Sequence, residues 1–380
     1  MPPADLYERL CRFYELMVGT LPLREEFRAA LVETIAEDDL RAFFLLPLSG
    51  PTPLEKLARR AGREGLTEEQ VRGMLDRLAA QGFIIAYEGP HGPTYERGNV
   101  IFLTEQQVRK LEDCPRRTVF ARFFDQAIEI AGRNLPTKTP YFRVLPVEGT
   151  LKRGAPRRTV IVDEVIPDPR GVLPIDVISE MVRQTRLIGV AECYCRKTKR
   201  ILGQGCEHPL ETCMVFNELA ETLIGNGFAR QATYEEAMEI IWRCEGEGLV
   251  HNVDNCQGAI RALCNCCSCC CAVLKSWQRG QRNAGGASRY VAAFDAAKCR
   301  LVGACVSVCP SGARRLEDGR VVVDPSVCLG CGLCVAACPE GANRLVPREP
   351  QPRIPRTNPE LYGKIGREAL LGMVKRKVLG

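Results

Sequence analysis

Cysteine is the residue type in this sequence that points most clearly to a chemical role, since it makes up 21 of the 380 residues. Only Cys11 and Cys114 precede residue 190, whereas twelve cysteines lie in a block that ends at Cys271 and seven in a block that ends at Cys338. Thiolates are soft ligands that bind zinc and iron–sulfur clusters, and a chain of this length can bury cores without disulfide bonds. The distribution therefore predicts two metal-binding blocks behind a cysteine-poor front.

The second block contains an internal repeat. Residues 295–313 and residues 324–342 match at Asp, Cys, Gly and Pro positions, and the second copy contains the run C-x2-C-x2-C-x3-C-P from Cys328 to Pro339. In such a run a tight loop of small residues lets three sulfurs point towards one cluster, while the cysteine before the proline reaches the neighbouring cluster. The repeat resembles the two-cluster bacterial ferredoxins.

This resemblance implies a ligand set for the complete motif. Cys328, Cys331 and Cys334, together with Cys309 of the first copy, are expected to hold one 4Fe–4S cluster. Zinc is a weaker alternative, because a ligand shared between two repeats suits paired clusters better than a closed zinc site.

The first copy of the repeat lacks one ligand. Val302 stands where the second copy has a cysteine, so the resemblance leaves Cys299, Cys305 and Cys338 for the other cluster. Valine cannot ligate a metal, and three outcomes are open: a 3Fe–4S cluster, a 4Fe–4S cluster with a non-protein or distant fourth ligand, or an empty site. The intact remaining ligands favour an occupied three-cysteine site.

Four cysteines of the first block form the pattern C-x-C-x10-C-x6-C, namely Cys193, Cys195, Cys206 and Cys213. Cys193 and Cys195 are expected on one side of an extended segment, because strand side chains alternate with a period of two. The four thiols are predicted to hold a further 4Fe–4S cluster. Zinc binding and free thiols remain as alternatives.

A much denser run follows, with six cysteines in eight residues: Cys264, Cys266, Cys267, Cys269, Cys270 and Cys271. Neighbouring side chains point apart, so all six cannot bind one cubane. A subset is predicted to form another cluster together with Cys256 or Cys244, and the sequence does not select the subset. A redox-active thiol or an unusual cluster is the alternative. If the run were helical, Cys266 and Cys269 or Cys270 would share a face.

The front of the chain shows a different pattern. Residues 24–112 predict short helices followed by a β-hairpin, with a Thr52 cap before Pro53 and a capping box that starts at Thr67. This order resembles a winged helix–turn–helix domain. Residues 1–118 carry a net charge of −3, which argues against binding to nucleic acid. The domain is predicted to serve protein contacts or homodimerisation instead.

The resulting expectation is a multidomain α+β protein. A winged-helix-like domain is predicted for residues 1–118, a mixed α/β cysteine-rich middle domain for 119–280, a dicluster ferredoxin-like domain for 286–346, and a Pro-rich segment with a basic C-terminal helix for 347–380. The middle domain is expected to contain strands at 159–162 and 165–166 and a helix at 174–187. Residues 278–288 are predicted to be a flexible linker.

Motifs for other chemistries are absent from the sequence. It contains no G-x-G-x-x-G after a strand, no P-loop and no nucleophile elbow, which argues against a flavin, nicotinamide or nucleotide site. No signal peptide or membrane span is visible, so a cytoplasmic protein is expected. The predicted clusters are expected to be sensitive to oxygen, which favours an anaerobic host.

The function predicted from these features is transfer of single electrons through several clusters to or from a partner oxidoreductase or electron-donor protein. An electron carrier or an oxidoreductase subunit is favoured over a stand-alone enzyme. The alternatives are a redox-sensing transcriptional regulator and a reductase with an unusual cluster as its active site. The net charge of +9 beyond residue 118, within a total of +6, fits anionic thiolate clusters or an ordinary solvated surface.

Overall fold

A computed structural model describes residues 5–48, 50–89, 92–134, 137–152 and 173–379. The chain divides into two compact units. The first comprises residues 1–135, 189–211 and 217–231, and the second comprises residues 136–188, 212–216 and 232–380. Among the described residues, none of the helices combines the length and the apolar character that a bilayer span requires.

Helices and strands are both abundant, as the predicted α+β class requires. The α-helices of the described residues are α1 (Leu6–Val18), α2 (Arg24–Thr34), α3 (Glu37–Leu45), α4 (Leu54–Ala61), α5 (Glu68–Ala80), α6 (Val100–Lys110), α7 (Pro115–Asn134), α8 (Glu148–Lys152), α9 (Ile178–Arg183), α10 (Tyr194–Ile201), α11 (Asn217–Gly225), α12 (Tyr234–Gly246), α13 (Ala272–Gln278), α14 (Ala304–Ser307), α15 (Leu333–Ala336) and α16 (Asn358–Leu379). The strands are β1 (Thr52–Pro53), β2 (Ile84–Gly89), β3 (Gly92–Arg97), β4 (Phe142–Leu145), β5 (Ile188–Glu192), β6 (Glu211–Phe216), β7 (Arg230–Ala232), β8 (Val250–Asp254), β9 (Ala262–Cys266), β10 (Gly285–Gly286), β11 (Tyr290–Phe294), β12 (Arg314–Glu317), β13 (Arg320–Val323) and β14 (Asn343–Pro347).

The first unit is built on a helical core that the amphipathic pattern of its helices predicts. Phe27 of α2 stacks on Phe123 of α7 with ring centroids 3.9 Å apart, and both rings are fully buried. The capping box predicted at Thr67 is confirmed, because the Thr67 hydroxyl accepts from Gln70 N and the Gln70 side chain accepts from Thr67 N. A three-stranded sheet in the order β1-β3-β2 follows the helices, so the hairpin predicted there is present.

The predicted helix cap at Thr52 is wrong. Thr52 and Pro53 form β1, which pairs with Tyr95 and Thr94 of β3, and the helix begins only at Leu54. Thr52 is buried by this pairing. A strand pairing is a long-range contact, so the local Thr-Pro signal could not reveal it.

The second unit contains five neighbouring strands in the order β10-β4-β8-β9-β6. Strand β9 lies between two antiparallel partners, β8 and β6. The edge strand β10 runs parallel to β4, with Gly285 opposite Phe142. The prediction of a flexible linker at residues 278–288 is therefore wrong at Gly285 and Gly286. A Cβ at these positions would lie 2.4 Å from Val273 Cγ1 and 2.9 Å from Pro140 Cγ, so only glycine fits.

The repeat in the second unit forms two short antiparallel strand pairs and two short helices. Strands β11 and β14 are antiparallel, β12 and β13 are antiparallel, and α14 and α15 occupy equivalent places in the two copies. Asp295 N donates to Ala342 O and Asp324 N donates to Ala313 O, so each copy is tied to the other by an equivalent hydrogen bond. This arrangement brings the cysteine loops of both copies into one small module.

The C-terminal helix α16 packs against other elements of the second unit. Leu361 and Ile365 are buried on one side of it. The Glu368 carboxylate accepts hydrogen bonds from the backbone N–H groups of Lys138 and Thr139 and from the Thr139 hydroxyl.

Two further predictions concern the middle of the chain. The predicted strands at 159–162 and 165–166 lie outside the described residues. The predicted helix at 174–187 is shorter in the structure: a 3-10 turn covers Pro174–Asp176, and α9 ends at Arg183.

Candidate metal centres

The complete motif of the second repeat converges on one cavity. Cys309, Cys328, Cys331 and Cys334 all line it. Cys328, Cys331 and Cys334 are buried. The structure therefore brings together the four cysteines that the ferredoxin resemblance groups as one ligand set.

Glycine is required in this loop for two reasons. Gly330 has φ +67°, in the left-handed region, and its N–H donates to the Cys328 sulfur at 3.4 Å. A Cβ at Gly330 would lie 2.1 Å from Tyr290 O and 2.3 Å from Ser288 Oγ, so no larger residue fits. This close packing holds the backbone N–H in place to donate to a sulfur.

A buried cation lies at the same cavity. The Arg314 side chain lines the cavity, is almost fully buried, and has two terminal nitrogens without a hydrogen-bond partner among the described residues. Burial raises the pKa of the Cys334 thiol to about 11, and the Arg314 guanidinium opposes that rise. A buried cation beside four thiols fits a group that carries negative charge, as a thiolate-bound iron–sulfur cluster does.

The first copy retains a second cavity of its own. Cys299, Cys305 and Cys338 line it together with Val302. The Val302 side chain is 63% exposed, so it does not fill the place of the missing ligand. The Leu301 N–H donates to the Cys299 sulfur at 3.4 Å. The site keeps its remaining ligands and its loop conformation and is open towards solvent.

Three cysteines of the C-x-C-x10-C-x6-C pattern belong to the first unit. Cys193 is the N-cap residue of α10, Cys195 lies in the first turn of α10, and Cys206 follows the helix. The predicted extended segment at 193–195 is wrong, because the chain turns helical at Tyr194, whose ring packs edge-on against Phe124. Cys213 lies on β6, in the second unit.

The loop that carries Cys206 is held by an arginine of α10. Arg200 donates from Nε and from a terminal nitrogen to Cys206 O, at 3.0 and 2.8 Å, and a terminal nitrogen also donates to His208 O at 2.8 Å. A Cβ at Gly205 would lie 2.3 Å from Arg200 Cγ, so glycine is needed for this contact. Arg200 therefore positions the loop.

The dense run of six cysteines is divided by the structure. Cys264 and Cys266 lie on β9, Cys267, Cys269 and Cys270 follow in a turn, and Cys271 is the N-cap residue of α13. The sulfur atoms of the three turn cysteines lie within 4.8 Å of one another. The run is not helical up to Cys271, so the predicted helical face shared by Cys266 with Cys269 or Cys270 is not present.

Cys266, by contrast, is in thiol contact with Cys264 and Cys271. These contacts and its burial raise the pKa of Cys266 well above the ordinary value. The run thus separates into two groups of three thiols.

The two cysteines that were expected to complete a cluster lie elsewhere in the second unit. Cys244 is fully buried on α12. Cys256 follows the end of β8 and its thiol lies 3.4 Å from Asn358 Oδ1. The register pairs Val250 with Cys266, so about 13 Å of strand, at about 3.3 Å per residue, separates Cys266 from the end of β8 that leads to Cys256.

Two polar residues at these sites were missed by sequence reasoning. Arg314 is the first residue of strand β12, and Asn252 lies within β8, a strand whose residues are all buried. Arg314 falls at the repeat position of Asn343, so the repeat alignment was the one signal that could have drawn attention to it. Nothing local marks Asn252.

Comparisons with known proteins agree with this geometry. Residues 291–340 match the family model described as the 4Fe-4S dicluster domain. No curated protein and no solved structure matches the chain. The predicted dicluster domain is thereby confirmed for these residues, which include all seven cysteines of the second block. Together with the cysteine-rich region before it, this domain indicates iron–sulfur electron transfer.

Proposed function

We propose that this chain is an iron–sulfur protein that exchanges single electrons with a partner oxidoreductase. The observation that carries the proposal is the convergence of Cys309, Cys328, Cys331 and Cys334 on one cavity. The buried Arg314 at that cavity supports it, because a buried cation is costly unless an anionic group lies beside it.

The residues of the proposed cluster site have three different roles. Cys309, Cys328, Cys331 and Cys334 would hold one 4Fe–4S cluster, and bound clusters supply one-electron oxidation and reduction. The backbone N–H of Gly330 donates to a ligand sulfur, and Arg314 offsets negative charge. These two features raise the affinity of the site for an added electron.

The second site of the domain would use Cys299, Cys305 and Cys338. It would hold a 3Fe–4S cluster, or a 4Fe–4S cluster whose fourth iron takes a non-protein ligand. Leu301 and Val302 are exposed beside it, whereas Cys328, Cys331 and Cys334 of the complete motif are buried. We therefore assign the three-cysteine site to the surface at which electrons enter or leave.

The first unit supports the electron carrier over the DNA-binding regulator. Arg77, on the helix that would read DNA, donates to the Asp39 carboxylate through Nε at 3.0 Å and a terminal nitrogen at 2.7 Å. Arg72 on the same helix lies 3.8 Å from Asp76. Because both arginines face acidic partners, the helix offers little free positive charge to a phosphate backbone. A role for this unit in protein contacts, in a cytoplasmic protein, is part of the proposal.

Anaerobic purification of the full chain tests the function. We expect about 11 to 16 iron atoms per chain for three or four clusters, with an equal amount of acid-labile sulfide, or one sulfide more than iron where one cluster is 3Fe–4S. Dithionite reduction should give electron paramagnetic resonance (EPR) signals of reduced clusters. After removal of dithionite, the reduced protein should pass electrons to a one-electron dye. Stoichiometric zinc with little iron would refute the proposal.

A further inference from the structure

A row of three side chains crosses three neighbouring strands of the second unit. Asn252 of β8 is paired with Cys264 of β9, and Cys264 is paired with Cys213 of β6. Residues directly opposite each other on antiparallel strands point to the same face, with Cβ atoms about 5 Å apart. Asn252, Cys264 and Cys213 therefore stand side by side on one face of the sheet.

Two more thiols join this row. Cys266 is two residues after Cys264 on β9 and so points to the same face. Cys266 is in contact with the thiols of both Cys264 and Cys271, the residue at which α13 begins. The strand and the helix start thus bring Cys213, Cys264, Cys266 and Cys271 to one place.

The remaining cysteines of the dense run form the separate group of Cys267, Cys269 and Cys270, with sulfur atoms within 4.8 Å of one another. Cys269 is exposed, whereas the thiols of Cys266 and Cys271 are buried. The six cysteines can therefore be close together in sequence because side chains alternate along β9 and the chain then turns. The strand and the turn direct the thiols into two separate groups.

A buried side-chain amide without a hydrogen-bond partner gives independent evidence that a group binds beside the row of Asn252, Cys264 and Cys213. Asn252 is 1% exposed, and neither its side-chain nitrogen nor its oxygen has a hydrogen-bond partner among the residues that the structure describes. A buried polar group without a partner destabilises the fold. Asn252 stands beside Cys264 in the row. A sulfide or thiolate sulfur there would accept the amide N–H.

We propose that Cys213, Cys264, Cys266 and Cys271 hold a further iron–sulfur cluster and that the Asn252 amide donates a hydrogen bond to a sulfur of it. Four thiolates suit iron–sulfur clusters or zinc. An amide N–H suits the cluster better, since a cluster adds inorganic sulfides as acceptors. This inference rests on the proposed electron-transfer function.

The position of the proposed site connects it with the dicluster domain. Cys266 and Cys271 belong to the same buried cluster of side chains as Cys331, one of the ligands predicted for the complete motif. Leu274 and Leu329 lie in this cluster as well. A cluster at the row could therefore exchange electrons with the complete motif through apolar packing that excludes water.

The proposed ligand set differs from the grouping that sequence spacing favours. Spacing places Cys213 with Cys193, Cys195 and Cys206, and places the dense run with Cys256 or Cys244. The strand register instead puts Cys213 opposite Cys264, and Cys256 beyond the far end of β8. These groupings predict different losses of iron in single variants.

The experiment uses the full chain purified anaerobically in four forms: wild type, Cys213→Ser, Cys271→Ser and the comparison variant Cys256→Ser. Iron, sulfide and zinc are counted, and EPR spectra are recorded during reductive titration. We expect Cys213→Ser and Cys271→Ser each to lose the same EPR component and about four iron atoms. Cys256→Ser should retain that component.

Asn252→Leu separates a hydrogen-bonding role from a packing role. Leucine has a similar volume and removes the amide, so a merely buried asparagine would be replaced at little cost or with a gain in stability. If the amide donates to the cluster, iron content stays at the wild-type value while the midpoint potential of that one component falls. Unchanged potentials in Asn252→Leu would overturn the role of Asn252.

The outcomes also distinguish this inference from the proposed function. If Cys213→Ser and Cys271→Ser keep every EPR component, or if the site contains zinc, the further cluster is refuted. The signals of the dicluster domain in the same samples would then still support electron transfer. Loss of different components in Cys213→Ser and Cys271→Ser would also refute the shared site. Absence of iron from the wild-type chain would refute both.

Discussion

Leu301 and Gly330 adopt the same left-handed backbone conformation at equivalent positions of the two repeats. Their φ angles are 58° and 67°, and each N–H donates to the sulfur of a cysteine two residues earlier at 3.4 Å. A left-handed conformation costs a leucine about 1–2 kcal/mol relative to a glycine. The first copy therefore keeps a strained loop that binding of a cluster explains, although it has lost one ligand.

Replacement of Gly330 should remove the complete site. In Gly330→Ala the new Cβ would clash with Tyr290 O, so we expect the loss of about four iron atoms and of one EPR component. Gly319→Ala is the matched control, since Gly319 has φ +69° and open space around it. It should cost about 1 kcal/mol of stability and no iron. Equal iron loss in both variants would contradict the packing argument.

Val302→Cys should complete the first site. The position is exposed and corresponds to Cys331 in the repeat, so a thiol there can reach the cavity without repacking. If the wild-type site holds a 3Fe–4S cluster, the variant should gain about one iron atom per chain and lose the EPR signal of the oxidised 3Fe–4S form. An iron count and an EPR spectrum that match the wild type would show that Val302 does not determine the cluster type.

Arg314→Gln should lower the reduction potential of the cluster at the complete motif. Removal of a buried positive charge disfavours the reduced state, and a change of about 1.4 kcal/mol corresponds to about 60 mV for one electron. The neighbouring Arg315 is exposed and paired with Glu317, so Arg315→Gln is the control. Redox titration followed by EPR measures both. A shift of the same size in the two variants would mean that Arg314 acts only through the net charge of the surface.

Arg77→Leu should destabilise the first unit. The Asp39 side chain is 5% exposed and receives hydrogen bonds from Arg77, so the variant leaves a buried carboxylate without its cation. We expect the free energy of unfolding, measured in urea, to fall by about 2 kcal/mol. This is less than for a fully buried ion pair, because the Arg77 side chain itself is 60% exposed. Arg72→Leu, which breaks an exposed contact of 3.8 Å, should change stability by less than about 0.5 kcal/mol. Equal losses would argue against a special role of Asp39.

Local features of this protein could be predicted from its sequence because a few consecutive residues determine them. The capping box at Thr67 and the hairpin after α5 depend on neighbouring residues, and both are present. The cysteine loop from Cys328 to Cys338 is equally local, since its spacing alone directs three sulfurs to one place.

Features that depend on contacts between distant residues could not be predicted. Strand register decides that Cys213 faces Cys264, and register is not encoded in the spacing of either segment. Packing of the Tyr194 ring against Phe124 accompanies a helix where alternation suggested a strand. The burial of Arg314 and Asn252 results from packing of the whole second unit, so neither residue type gave a signal.

The chain contains two tryptophans, and their environments differ. Trp242 is 60% exposed, whereas Trp277 is buried in the cluster of side chains that includes Cys271 and Cys331, and its indole N–H donates to Val327 O at 3.0 Å. Iron–sulfur clusters absorb at the wavelengths where indole emits, so a cluster nearby quenches indole fluorescence. The fluorescence intensity of Trp277 should therefore fall as clusters are bound, so that it reports cofactor loading during assembly without any added dye.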